Sequence, residues 1–197
     1  IFDYTGSLIN NGMDVGTMPS GTSGAVQTAV ANQVNLLVSG MANDTQFWNG
    51  TTTTADGTIH GGNGSWVMGP TNWTNANGTS VNAWSSKFAV FQNNPGIVTV
   101  DNQNGAVTTT GMQFIGDGWR VGGQALTLDG SGAAGTTSIR VGDGTAAGTN
   151  WTATIDAALT GSTTLVKNDL GTLILTGSNS YMGGTAIASG TLQIGDG

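Results

Sequence analysis

The sequence has no cysteine, no glutamate, three prolines, one histidine and four basic residues. Without Cys there is no disulfide and no thiolate metal site, and a lone His60 cannot build a histidine cluster. No metal or cofactor is therefore expected. Charged residues make up 8% of the chain, against a usual ~25%. All eleven acidic residues are Asp, the basic set is Lys87, Lys167, Arg120 and Arg140, and the net charge is −7. Four scattered cations make no basic patch, which argues against nucleic acid and anionic membrane surfaces as partners. No apolar run approaches the ~18 residues of a membrane-spanning helix.

What is abundant is glycine, threonine and asparagine, with 34 Gly alone. These are poor helix formers, so a helix bundle or a doubly wound α/β domain is very unfavourable. With 37% hydrophobic residues the chain can still bury a core and does not read as disordered. Composition thus points to a secreted all-β protein, and the lack of disulfides suits a Gram-negative envelope. The chain reads as an excised segment of something longer.

Short β-type runs bounded by Gly, Asn or Asp recur from residue 97 onward: 97–100, 112–115, 125–128, 138–141, 152–157, 163–167, 171–176, 185–188 and 191–194. Within them apolar residues alternate, as in Leu126 and Leu128, Ile139 and Val141, Leu173 and Leu175, Leu192 and Ile194. Period two puts these side chains on one face of a strand. Leu173-Ile174-Leu175 returns as Leu192-Gln193-Ile194, and Leu165 finds a counterpart in Ile187. Returns of roughly 20 residues, with few hairpin signatures, favour a solenoid of three short strands per coil. Stacked coils pair strands in parallel ~4.8 Å apart and align like apolar side chains in ladders. Leu165, Leu173, Leu175, Ile187, Leu192 and Ile194 are the expected ladder.

One segment spanning 1–197 is expected, in three parts: 1–45 as the end of a preceding coil region, 46–96 as a less regular Trp-rich stretch, and 97–197 as regular coils. In the first part, residues 25–38 read as a strand, with Val26, Val30 and Val34 among their β-branched side chains. The second holds Trp48, Trp66, Trp73 and Trp84 between Gly/Asn/Thr loops. Buried aromatic packing is favoured for these rings. The alternative is a carbohydrate-binding module in which exposed Trp66, Trp73 and Trp84 stack on sugars.

Catalytic signals are sparse. Asp56, Asp117, Asp129, Asp143 and Asp196 each precede Gly, which is turn chemistry. Arg120 and Arg140, about one such return apart, could stack on successive coils and hold an anion, although a solvated face is favoured. His60 and Asp56 could form an acid/base pair, but no nucleophile elbow accompanies them. A β-helical polysaccharide lyase or hydrolase would need an Asp cluster beside Arg or Lys, which no spacing supplies. No catalytic residue is assigned.

The run LVKNDLGTLILTGSNSYMGGTAIASGTLQIG, at about 165–195, closely resembles the passenger-associated transport repeat of bacterial autotransporters. The matching positions are Leu165, Lys167, Gly171, Thr172, Leu173, Leu175, Gly177, Asn179, Tyr181, Gly183, Gly184, Thr185, Gly190, Thr191, Leu192 and Gly195, and Asp169 stands where Gly is common. The resemblance implies a right-handed parallel β-helix of three strands per coil, within the passenger of a type V secretion system. It implies display at the cell surface, a covalently linked C-terminal outer-membrane β-barrel, and help with passenger folding and secretion. It further implies a non-enzymatic, adhesive or stalk-like role toward a host-cell or bacterial receptor or glycan. Self-association through unpaired end coils is a further expectation.

Overall fold

The computed structural model describes residues 2–3, 5–8, 23–29, 31–39, 45–130 and 135–196. By compactness the chain divides into residues 1–44 and 45–197.

In the first unit β1 (Phe2–Asp3), β2 (Ser23–Gln27) and β3 (Gln33–Ser39) form an antiparallel sheet in the order β1-β3-β2. The stretch 25–38 is thus two strands rather than one. Asn32, at a φ of 62°, reverses the chain just before β3. Asn tolerates this left-handed conformation better than the valines around it. Val30, counted in the strand pattern, lies outside the described residues. The described strands pair antiparallel, not in the parallel manner of a coil.

The second unit begins with β4 (Thr45–Trp48), β5 (Gly64–Val67), β6 (Trp73–Thr74) and β7 (Val81–Asn82). Next come β8 (Phe88–Gln92), β9 (Ile97–Asp101), β10 (Thr108–Thr109), β11 (Gly111–Ile115), β12 (Trp119–Gly123) and β13 (Leu126–Leu128). The remainder are β14 (Thr136–Val141), β15 (Thr152–Ile155), β16 (Leu159–Thr160), β17 (Thr164–Asn168), β18 (Thr172–Leu175), β19 (Thr185–Ile187) and β20 (Thr191–Ile194). Among the described residues of this unit, the helical element is a short 3₁₀ turn, Ala146–Asn150, capped by Thr145.

From β8 to β18 the chain visits three sheets in rotation, and β19 and β20 then return to the first and second. One has the order β19-β17-β14-β11-β8-β4-β6-β7, the second β20-β18-β15-β12-β9-β5, and the third β10-β13-β16. Each returning strand lies parallel to the one before it in the same sheet. Thr45 pairs with Phe88, Phe88 with Gly111, and Thr172 with Thr191. The last of these returns is less than half as long as the first. Antiparallel pairing among the described strands of this unit is confined to the β4–β6 and β6–β7 contacts.

Parallel register makes columns of inward side chains. Val98, Val121, Ile155, Leu175 and Ile194 stand one over another in the second sheet. Trp119, Ala153, Leu173 and Leu192 form the neighbouring column. Leu165, Leu173 and Leu175 are fully buried, as the ladder requires, whereas Ile187 and Ile194 on the last strands are 56% and 69% exposed. The pairing of Leu173 with Leu192 and of Leu175 with Ile194 follows the return expected from the sequence. The pairing of Leu165 with Ile187 does not hold. Leu165 faces Thr185, and Ile187 faces Lys167. A slip of two positions keeps every side chain on its own face, so alternation alone cannot distinguish the two registers.

Candidate functional site

Trp48, Trp66, Trp73 and Trp84, with Phe91, build one aromatic cluster at the β4–β7 end of the unit. Trp73 and Trp84 have ring centroids 4.2 Å apart, and Trp66 meets Trp84 edge-on at 5.0 Å. Trp66 and Trp73 expose nothing and Trp84 only 2%. The sugar-stacking alternative needs open ring faces, and these three have none. In a segment with few other large apolar side chains, the rings are the core. Their indole N–H groups are unequally served. Trp48 donates to the Gly62 carbonyl and Trp84 to the Thr108 carbonyl, each at 2.8 Å, while those of Trp66 and Trp73 are buried without a partner.

The two arginines do not stack. Arg120 belongs to β12 and Arg140 to β14, strands of different sheets. Their separation falls short of a full return here, since Gly111 pairs with Ser138. Each instead finds a carboxylate. Arg120 donates through Nε to Asp156, whose other oxygen accepts from the Thr176 hydroxyl at 2.6 Å. Together with Thr154, Ile174, Gln193 and Asp196 they line a recess of about 330 Å³ on the outer face of the second sheet.

Arg140 makes a two-pronged contact with Asp169, Nε to Oδ2 at 2.9 Å and Nη2 to Oδ1 at 3.2 Å. Asp169 has a φ of 62°, so it holds a turn conformation that glycine adopts freely. Its carboxylate compensates by reaching the preceding strand of the same sheet. Asp169→Asn should keep the turn and lose the ion pair, lowering stability by about 1 kcal/mol. Urea unfolding of both chains at low and high salt reads this, with the gap narrowing as salt rises.

Lys167 is the most unusual residue. It stands in the inward column between Ile139 and Ile187 and is completely buried. Its Nζ donates to the carbonyls of Asn168, Asp169 and Ser189, at 2.8, 2.8 and 3.1 Å. An ammonium has three protons, and all three are used. The first two carbonyls belong to its own turn and the third to the turn below, so the side chain ties two successive turns together. Burial pulls the Lys167 pKa below its usual value, and the nearby Asp169 charge opposes that shift.

Gly190 is where this tie requires a missing side chain. Its φ is +72°, and a Cβ there would lie 2.3 Å from the Asp169 carbonyl oxygen and 2.8 Å from Lys167 Nζ. Gly190→Ala should cost about 2–3 kcal/mol, from left-handed strain plus the displaced turn, and thermal unfolding would show it. Other repeat positions also work locally. Asn179 Oδ1 accepts the Leu159 N–H at 2.9 Å, and the Tyr181 hydroxyl meets that of Thr185 at 2.6 Å.

His60 Nε2 and Asp56 Oδ2 are 2.8 Å apart on an exposed loop. The His60 contact, helped by the Thr58 N–H, holds the Asp56 carboxyl below its usual range. Both contacts close the loop on itself. Asp56, Asp101 and Asp143 each accept the N–H two residues on, which is the turn role read from Asp56-Gly57 and Asp143-Gly144. No three His or Asp groups converge among the described residues.

Repeated parallel strands, a buried lysine tying turns, and glycines where turns touch define a stacked-repeat segment. The passenger-associated-transport-repeat family matches residues 165–194, the stretch that holds Lys167 and Gly190. The chain is 46% identical, over 98% of its length, to part of the adhesin BmaC autotransporter of Brucella suis biovar 1 (strain 1330). It spans 6% of that relative. No solved structure matches the chain. The chain is thus similar to an autotransporter passenger with a transport repeat, which indicates cell-surface display anchored in the outer membrane of a Gram-negative bacterium.

Proposed function

We propose that the chain is a non-catalytic rod-forming and adhesive segment of a surface-displayed passenger. In this reading residues 45–196 wind as a right-handed parallel β-helix with three strands per coil. The observation that carries it is the rotation of strands through three sheets with inward apolar columns in register. Coils of this kind share cores only with their neighbours, so the stack can lengthen without a larger hydrophobic centre. The transport repeat assists folding outside the cell by supplying the most tightly tied turns. The full-length chain carries a C-terminal barrel, and the outer strand faces, including the recess beside Arg120 and Asp156, meet a host-cell or bacterial surface receptor or glycan.

The test is to delete residues 45–196 in frame from the full-length passenger. Surface display is measured by protease shaving of whole cells, and adhesion by binding to host-cell layers. Display that persists while adhesion falls supports the adhesive role. Unchanged display and adhesion would count against the whole reading.

A further inference from the structure

The floor of the recess beside Arg120 spans β12, β15 and β18, each of which is paired on both sides. Parallel register sets Arg120, Thr154, Ile174 and Gln193 in one column. The alternate residues Val121, Ile155 and Leu175 are buried, so period two turns this column outward. Asp156 and Thr176 stand beside it.

The polar groups here are fixed but not used up. Asp156 accepts from Arg120 Nε at one oxygen and from the Thr176 hydroxyl at the other. A carboxylate offers about four acceptor positions, so each oxygen keeps one. Among the described residues the Arg120 side chain donates through Nε alone, which leaves the two Nη groups of its planar fork available. Gly122 presents no side chain beside this pair. A Cβ there would stand 3.5 Å from Asp156 Oδ2, so its absence keeps that side of the carboxylate uncovered.

A donor and an acceptor side by side, over an apolar patch, suit a molecule with the same alternation. Adjacent hydroxyls on a neutral sugar ring provide it. One accepts from the Arg120 fork, its neighbour donates to Asp156, and ring C–H groups rest on the half-buried Ile174. The volume of about 330 Å³ lies near the lower end of the ~300–1,000 Å³ range of small-molecule sites. An anionic sugar fits worse. Arg120 is already paired, Asp196 adds a second carboxylate to the lining, and the chain carries −7, so a ligand carboxylate meets net negative charge.

We infer that this recess binds a neutral sugar through two adjacent hydroxyls, with Arg120 and Asp156 as the paired donor and acceptor and Ile174 as the apolar floor. The inference rests on the adhesive reading above and names the chemistry of one contact surface. With no aromatic ring in the lining, affinity for a single sugar should be weak, about millimolar.

Saturation-transfer NMR on the whole chain tests it, with methyl α-mannoside, lactose, a neutral Gram-negative O-polysaccharide and sialic acid as probes. Neutral probes should receive saturation, little changed by salt, and sialic acid none. A response to mannoside or lactose points to host glycans, and one to the O-polysaccharide alone points to bacterial surfaces. Arg120→Ala should weaken binding about tenfold while tryptophan fluorescence stays that of the parent. Arg120→Lys keeps the charge without the fork and should lose nearly as much; if Arg120→Ala unfolds, it decides by the same readout. No saturation of any neutral probe, binding that survives the arginine change, or a stronger response from sialic acid would overturn the site. The adhesive reading fails separately. It stands if deleting the segment lowers adhesion while Arg120→Ala in the full-length passenger does not, and only the sugar site then falls.

Discussion

Leu173→Asp should lower stability by more than about 4 kcal/mol, enough to abolish cooperative folding of the C-terminal rungs. Leu173 is completely buried, flanked in its column by Ala153 and Leu192. A carboxylate there loses its hydration, and no side chain of its column is polar. Leu173→Ala is the milder companion, expected to cost about 3 kcal/mol through the cavity alone. Urea unfolding followed by tryptophan fluorescence separates them. If Leu173→Asp melts with the parent chain, the inward column is wrong.

Lys167→Met should cost about 3 kcal/mol, although it replaces a buried charge with an apolar side chain of similar length. The reason lies in the acceptors. Removing the ammonium leaves three carbonyls at the Asn168, Asp169 and Ser189 turns without their donor, and an unserved buried acceptor costs more than a formed bond returns. The expected signature is local, with faster amide exchange in residues 185–194 than in β11 or β12. A pH effect accompanies it. Because burial lowers the folded-state pKa of Lys167, the unfolded chain retains this proton over a range where the folded chain has lost it. Stability from this group therefore rises with pH up to about the unfolded value of 10.5 and is smallest below the folded-state value. The advantage of the parent chain over Lys167→Met should widen toward alkaline pH. A gap that narrows there would contradict the assigned shift.

Much of the strand succession was legible because alternating apolar residues between Gly and Asn turns leave few other options. All nine runs from residue 97 onward correspond to strands, from β9 to β20. The strands that escaped are those with little to read. In β12 the sequence Trp119-Arg120-Val121-Gly122-Gly123 ends in two glycines, and β10 and β16 have two residues each. Register was only partly legible, since Leu165 can face Thr185 or Ile187 without changing sides. The chemistry of single residues was the least accessible. Asp169 read as a turn residue, and it is one, but its partner Arg140 lies 29 residues away. Lys167 matched a repeat position, yet nothing in the chain marks a lysine as buried when lysines ordinarily face water. The tryptophans were the reverse case, because scarcity of other large apolar residues already favoured their burial.

The unequal return distances bear on the order of assembly. Joining Thr172 to Thr191 closes a short loop, whereas joining Thr45 to Phe88 closes one more than twice as long. Loop-closure entropy and contact order both favour the shorter link. On this measure the last rungs are expected to nucleate first, and amide-exchange pulse labelling during refolding, with protection appearing in β17–β20 before β4–β7, would check it. A polypeptide emerging with those rungs foremost would acquire structure as it appears, and the exposed length still unfolded would shorten at every step.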